Sequence, residues 1–262
     1  MTIVDKSQKK GELQYHIDLK PGDVGEYVLL PGDPARVEIF AKFVDKPQKI
    51  AYKREYQTYT GYYKGIKVSC TSTGIGCPST AIAVEELVNI GATTFIRIGS
   101  CAGLQEGVHP RDLIIATGSM RNEGTTSFYA PMELPAVPDF YLTQALVQSA
   151  EELKDRLGLT YHVGLSGADD GLYQETPRFI TKLNSLGLKG VEMESAAIFI
   201  ITHLKGLRGA CICSVGGNTF TGEMLEDVEA GKNLPSRFES VIQVALEAVY
   251  KIHNYHTNYM RR

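Results

Sequence analysis

Short runs of consecutive apolar residues alternate along the chain with stretches of helical apolar spacing, which predicts strands and helices in turn. The runs Glu26–Leu30, Thr94–Ser100, Asp112–Ala116, Thr160–Ser166 and Gly209–Val215 read as strands. Ala35–Phe40, Ala81–Val88, Leu142–Leu157, Ala196–Leu204 and a last segment over about Pro235–Ile252 read as helices. Residues 52–60 and 66–73, rich in Tyr, Thr and Val, flank Lys64-Gly65 and predict a β-hairpin whose first strand is interrupted by the charge pair Arg54-Glu55. Gly118–Asp139 has no regular period and holds three prolines, as expected of a functional loop or a subunit contact. Asp169–Arg178 reads as a polar loop whose end starts a helix at Pro177. The regular alternation predicts the α/β class: a single-domain, three-layer α/β/α fold around a central twisted mixed β-sheet. Residues 1–14 are expected to form a flexible arm and residues 15–262 the domain.

Bulk properties narrow the function mainly by exclusion. The 262 residues carry a net charge of −3, so no basic surface calls for nucleic acid or an anionic membrane. Any anion site must come from a few placed residues. The five cysteines, Cys70, Cys77, Cys101, Cys211 and Cys213, show no metal-ligand spacing, and Cys211 and Cys213 share one face of a strand. Reduced thiols, a polar N-terminus and no apolar run of membrane-spanning length lead to the expectation of a cytoplasmic protein.

One residue stands out of pattern. Arg97 lies inside the apolar run Thr94–Ser100, which then breaks into Ser100-Cys101-Ala102-Gly103. A charge in an apolar interior must be paired. Two readings stand on this stretch alone: an edge strand whose arginine reaches solvent, or an anion anchor at the carboxyl end of a sheet strand. A second strand, Glu26–Leu30, runs into Pro31-Gly32-Asp33-Pro34 and a helix carrying Arg36, the layout of an anion cradle at a helix N-terminus. Small-residue ends recur at Ser72–Thr80 and at Gly216-Gly217-Asn218, and ligands in open α/β sheets bind at such ends. Glu192 and Glu194 flank Met193 at the start of a very apolar helix. They serve either as acids favoured by the helix dipole or as a grip on vicinal hydroxyls. No protein nucleophile with a base and no metal-spaced histidines are visible. That combination fits a substrate that brings its own nucleophile, such as inorganic phosphate attacking a ribosyl carbon.

Five motifs in order, Leu30-Pro31-Gly32-Asp33-Pro34-Ala35-Arg36-Val37, Arg54-Glu55-Tyr56, Ser72-Thr73-Gly74-Ile75-Gly76, Arg97-Ile98-Gly99-Ser100 and Val191-Glu192-Met193-Glu194-Ser195, resemble the nucleoside phosphorylase family. That family holds uridine phosphorylases and hexameric purine nucleoside phosphorylases, and the likeness runs from about His16 to the last helix. The resemblance implies a pentosyltransferase with inorganic phosphate as co-substrate and no organic cofactor. Gly32, Arg36, Arg97 and Ser100 match phosphate-binding positions, with Arg54 supplied by a neighbouring subunit. His16, Met193 and Glu194 match ribose contacts, His16 crossing a dimer interface. Cys101, Ala102, Tyr173, Gln174 and Arg178 match the base side of the pocket, and Arg97, Glu194 and Arg178 would carry the catalysis. Glu55, Ile75 and Ser79 match positions holding a monovalent cation, potassium, between subunits. The implied assembly is a homo-hexamer, a trimer of dimers.

On base choice the sequence departs from both branches. The purine enzymes place an aspartate after the strand matching Gly209–Val215, where this chain reads Gly216-Gly217-Asn218. The uridine enzymes use a closely spaced glutamine and arginine, whereas Gln174 and Arg178 lie four positions apart. The reading is phosphorolysis of uridine to uracil and ribose 1-phosphate. Its rivals are a purine nucleoside phosphorylase, a nucleosidase using water, and a non-catalytic nucleoside-binding relative.

Overall fold

A run with no polar member has to be covered on both faces, and β1 (Tyr27–Leu30) is buried throughout, with parallel β4 (Ile66–Thr71) on one side and parallel β5 (Thr94–Gly103) on the other. This computed structural model describes residues 11–226 and 236–259. Beyond β4 the sheet continues through antiparallel β3 (Tyr56–Tyr63) to β2 (Asp45–Lys53) at the edge. On the other side the sheet closes on itself. β5 pairs with β9 (Arg208–Asn218), β9 with β6 (Leu113–Asn122), β6 with β7 (Tyr161–Asp169), β7 with β8 (Gly190–Glu192), and β8 returns to β5. The central mixed sheet is thus an open wing joined to a five-stranded ring at β5. A two-residue strand, β10 (Glu223–Met224), extends β9.

Period-2 alternation along β5 sorts its residues onto two cores. Phe95 points to the layer of α2 (Cys77–Asn89) and α5 (Ser195–Leu204), beside Val84, Leu87, Ile198 and Phe199. Ile96 and Ile98 point to the layer of α1 (Pro34–Phe40), α3 (Phe140–Leu157) and α6 (Arg237–Tyr259), beside Phe40, Leu146, Val241 and Val249. Each such side chain contributes about 1.5–3 kcal/mol by leaving water. α4 (Pro177–Ser185) packs Ile180 and Leu183 on Leu104, Leu188 and Val191 at the ring's mouth. By the same alternation Arg97 joins the side of Phe95, facing α5.

Several boundaries differ from the sequence expectation. Arg54-Glu55 does not interrupt a strand; it is the turn between β2 and β3, with Arg54 at φ 56°. β2 was not expected because its residues are largely exposed and lack apolar alternation. β6 runs on to Asn122, into the stretch expected to be a loop. The rest of that stretch is organised by buried Arg121, which donates to the carbonyls of Thr126, Ala130, Pro131 and Leu134. Residues 1–10 of the expected arm lie outside the described residues, as does Pro235 of the expected last helix. Residues 11–14 are docked: the Gly11 N–H donates to the Asn89 carbonyl at 3.1 Å and Gln14 is buried.

Candidate active site

The carboxyl ends of β1 and β5 meet in register, Leu30 opposite Arg97, and β9 brings Cys211 to the other side of Arg97. The loop after β1 is tied to the loop after β4. Thr73 N–H donates to the Pro31 carbonyl and Gly74 N–H to the Gly32 carbonyl. A Cβ on Gly32 would stand 3.1 Å from the Gly74 carbonyl oxygen, so glycine lets the two loops touch. Asp33 caps α1 by accepting from Ala35 N–H. Arg36 on the first turn lays its guanidinium on the Phe238 ring, 3.8 Å from the centroid, and Arg237 approaches the same ring at 4.8 Å. Arg36 Nε is buried with no hydrogen-bond partner among the described residues. Burial first, and then Arg97, pull the Arg36 pKa down to about 10. Two arginines that repel each other, one with an unpaired buried donor, make a place for an anion.

Arg97 is 4% exposed, so the edge-strand reading is excluded. Its Nε lies 2.5 Å from Glu192 Oε2, and its Nη2 is ion-paired with Glu194 Oε2. Room for the guanidinium comes from Gly99, where a Cβ would stand 2.6 Å from Arg97 Cζ and 2.8 Å from Cys213 Sγ. Glu192 ends β8 and turns back to accept from the N–H groups of Glu194 and Ser195, so it caps α5 while it holds Arg97. Ser195 Oγ donates to Glu192 and also lies 2.9 Å from Ser119 Oγ. Glu194 Oε1 accepts from Gly76 N–H at 2.6 Å, which locks the α2 loop to the α5 cap. Glu192 therefore acts as the acid at the helix start, while Glu194 is engaged by Arg97 and Gly76 N–H. Burial pushes the Glu192 carboxyl up to about 7, against the downward pull of Arg97. The two carboxylates hold Arg97 charged.

Gly32, Arg36, Arg97, Glu192, Glu194 and the half-buried Ser100 and Met193 thus gather at one end of the sheet. Cys101 is buried below them and Ala102 is half-buried, where a bulge lets β9 spend Gly216 as an extra residue between Val215 and Gly217. The remaining expected residues lie at the surface. Arg54 is exposed, and Glu55 Oε1 accepts from Ser79 Oγ at 2.8 Å, with Ile75 exposed beside them. Burial raises the Glu55 pKa, but hydrogen bonds from its own backbone, Ser79 and Tyr56 hold it below the usual range. His16 Nδ1 faces Glu86 Oε1 at 2.6 Å. A carboxylate only accepts, so Nδ1 carries the hydrogen. Tyr173, at 96% exposure, Gln174 and Arg178 are all exposed around the start of α4, and the structure does not bring them against Arg97.

Sequence reasoning missed Arg237 and Phe238, which brace Arg36 from a helix 200 residues away, and the double duty of Glu192. Asn218, at one of the small-residue strand ends where a ligand was expected, is consumed structurally. Its Nδ2 donates to the Gln105 and Val108 carbonyls, and its Oδ1 accepts from Phe220 and Thr221 N–H groups.

What this arrangement defines is an α/β enzyme whose parallel strand ends bring two arginines beside a buried acidic pair. Comparison with known proteins makes the class specific: the chain belongs to the Phosphorylase superfamily, whose family model matches residues 26–253. A uridine phosphorylase of Thermococcus kodakarensis is 44% identical over 232 residues, 84% of this chain and 82% of the relative. A guanosine phosphorylase of Halorubrum lacusprofundi is 38% identical over 239 residues, 90% of this chain and 98% of the relative. The crystal structure of a uridine phosphorylase from Vibrio fischeri superposes with a TM-score of 0.82 at 31% identity, covering 94% of this chain and all of that one.

Proposed function

We infer that this chain is a nucleoside phosphorylase, a pentosyltransferase that converts uridine and inorganic phosphate to uracil and ribose 1-phosphate in nucleoside salvage. The observation that carries the reading is buried Arg97, flanked by Arg36 with its unpaired donor and clamped by the acidic pair, in a chain 44% identical to a uridine phosphorylase. Phosphate supplies the nucleophile, so no protein nucleophile is required. Gly32, Arg36, Arg97 and Ser100 hold it, and Arg54 reaches it from a second subunit. Glu194 turns from Arg97 toward the ribose hydroxyls once phosphate neutralises the arginine, with Met193 beneath the sugar and His16 of a partner copy above it. Positioning of phosphate under the anomeric carbon makes its attack effectively intramolecular. As the glycosidic bond lengthens, positive charge grows on the sugar beside Glu194 and phosphate. Negative charge grows on the departing base, which Gln174 and Arg178 meet when the α4 segment closes, with Cys101, Ala102 and Tyr173 around the ring. A donor placed where charge develops contributes about 3–4 kcal/mol.

Residues 15–262 act as one catalytic domain behind the N-terminal arm. Surface placement of Arg54 and His16 supports active sites shared between subunits of a homo-hexamer, a trimer of dimers. Glu55, Ser79 and the backbone at Ile75 offer hard oxygen donors that suit a potassium ion at the dimer contact. The five free cysteines, all buried, fit the reducing cytoplasm. Among the described residues no helix is long and apolar enough to cross a membrane.

The guanosine phosphorylase relative favours one second reading, a purine nucleoside phosphorylase. Ultraviolet assays of uridine, thymidine, inosine and guanosine cleavage, each with and without phosphate, separate the readings. Phosphate-dependent uridine cleavage is expected. Cleavage confined to purines would move the chain to the second reading, and cleavage without phosphate would make it a nucleosidase.

A further inference from the structure

Beneath the floor of the pocket three sulfur atoms and a carboxylate converge. Cys211 and Cys213 occupy alternate positions of β9 and so point to the same face. Their Sγ atoms lie 3.6 Å apart. Ligand atoms of Cys211, Cys213 and Glu192 all lie within 4.8 Å of one another, and all three residues are buried. Cys101 on the neighbouring strand β5 stands opposite Val215, on the same face as Cys213. A tetrahedral ion with metal–sulfur bonds of about 2.3 Å sets two sulfurs about 3.8 Å apart, close to the spacing found. A disulfide needs about 2.0 Å, so the pair rests nearer to chelation than to oxidation.

We propose that Cys211, Cys213 and Glu192 form a binding site for a thiophilic divalent cation, with Cys101 next to the fourth position, and that occupation of this site inhibits the enzyme through Arg97. Charge supports it. The ion meets two thiolates and the Glu192 carboxylate, and any protons still on those groups leave to solvent as it binds. Softness selects the ion: two sulfurs and one carboxylate suit zinc or cadmium, not magnesium or calcium. The coupling to catalysis is direct, because Glu192 Oε2 is the atom that holds Arg97 Nε at 2.5 Å. An ion that takes this carboxylate loosens the arginine, and the Cys213 Sγ it binds lies across Gly99 from the same guanidinium. The ligand set stands whichever nucleoside the enzyme cleaves.

Cadmium is the probe, titrated into the intact enzyme in phosphate-free buffer. A thiolate-to-cadmium charge-transfer band saturating at one ion per chain is expected. The band should be lost in C211S and in C213S and kept in C70S, whose thiol is buried elsewhere in the fold. Phosphate-dependent turnover should fall at least tenfold at saturation, recover on chelation, and resist cadmium in C211S. X-ray absorption of the zinc-loaded wild type needs no variant and should show sulfur neighbours at about 2.3 Å. A shell of oxygen and nitrogen only, no band in the wild type, or a band that survives in the C211S/C213S double variant would overturn the site. A band without inhibition would overturn the link to Arg97.

Discussion

Arg97 offers one guanidinium to two buried carboxylates, so its removal has two separable costs. Arg97→Ala leaves an uncompensated buried charge, which destabilises by about 3–5 kcal/mol. It also removes the proposed donor to phosphate, expected to lower kcat/KM by about 100–1000-fold. Thermal unfolding and steady-state phosphorolysis measure the two; near-normal turnover would remove Arg97 from the phosphate site. Glu192 makes the site sensitive to pH. Its carboxyl sits near 7 in the folded chain, raised by burial, against 4.5 for an ordinary glutamate, so the folded chain holds a proton that the unfolded chain gives up. Stability from this group is whole below 4.5 and is lost as pH rises through 7. Denaturant midpoints at pH 5 and 8 should fall with pH in the wild type, and Glu192→Gln should flatten that fall. Arg97 was legible in the sequence because a charge inside an apolar run demands partners, and Glu194 because acids before an apolar helix demand them too. The pairing of Arg36 with Phe238 was not legible, since nothing local in either segment refers to the other.

Whole elements were easier to read than their ends. Apolar runs announced β1, β5 and β9, and helical spacing announced α2, α3 and α5, because each must hide a face. β2 escaped because an exposed edge strand hides nothing, and the turn at Arg54-Glu55 was taken for a strand because its flanks share the composition of strands. The end of β9 tests how far element identity controls chemistry. Asn218 there spends all four of its hydrogen bonds on two loops. Asn218→Asp would set a carboxylate against the carbonyl oxygens of Gln105 and Val108, at 2.8 and 2.7 Å. The expected outcome is a lower melting temperature, with about 1–3 kcal/mol lost per unsatisfied group, and no gain of inosine cleavage. A folded variant with new purine activity would show that this position reads the base.

At the level of the whole molecule, the cradle proposed for phosphate and the exposed Arg54 belong to different parts of the sheet, one at the wing–ring junction and one at the wing's outer turn. If sites are shared, Arg54→Ala and Arg97→Ala homo-oligomers should each be inactive. Subunit exchange between them should restore turnover, because some sites then draw Arg97 from the Arg54→Ala chain and Arg54 from the Arg97→Ala chain. Activity measured after mixing checks this, and no recovery after proven exchange would place Arg54 outside the site. The closed ring has a consequence in time as well as in space. It is shut only by β8, three residues long, which must find Ala102 and Gly103 across almost ninety residues of chain and Ser166, Gly167 and Ala168 on its other flank. Contacts of such separation form late because loop closure must come first. Gly190 admits this clasp, since a Cβ there would stand 2.8 Å from Ile114 Cδ1 and 2.9 Å from the Ala102 carbonyl oxygen. Glu192 rides on the clasp and Glu194 follows it, so on refolding from denaturant turnover should return after the bulk of the circular dichroism signal. The strand that shuts the ring is the one that carries Glu192 to Arg97, with Glu194 two residues behind.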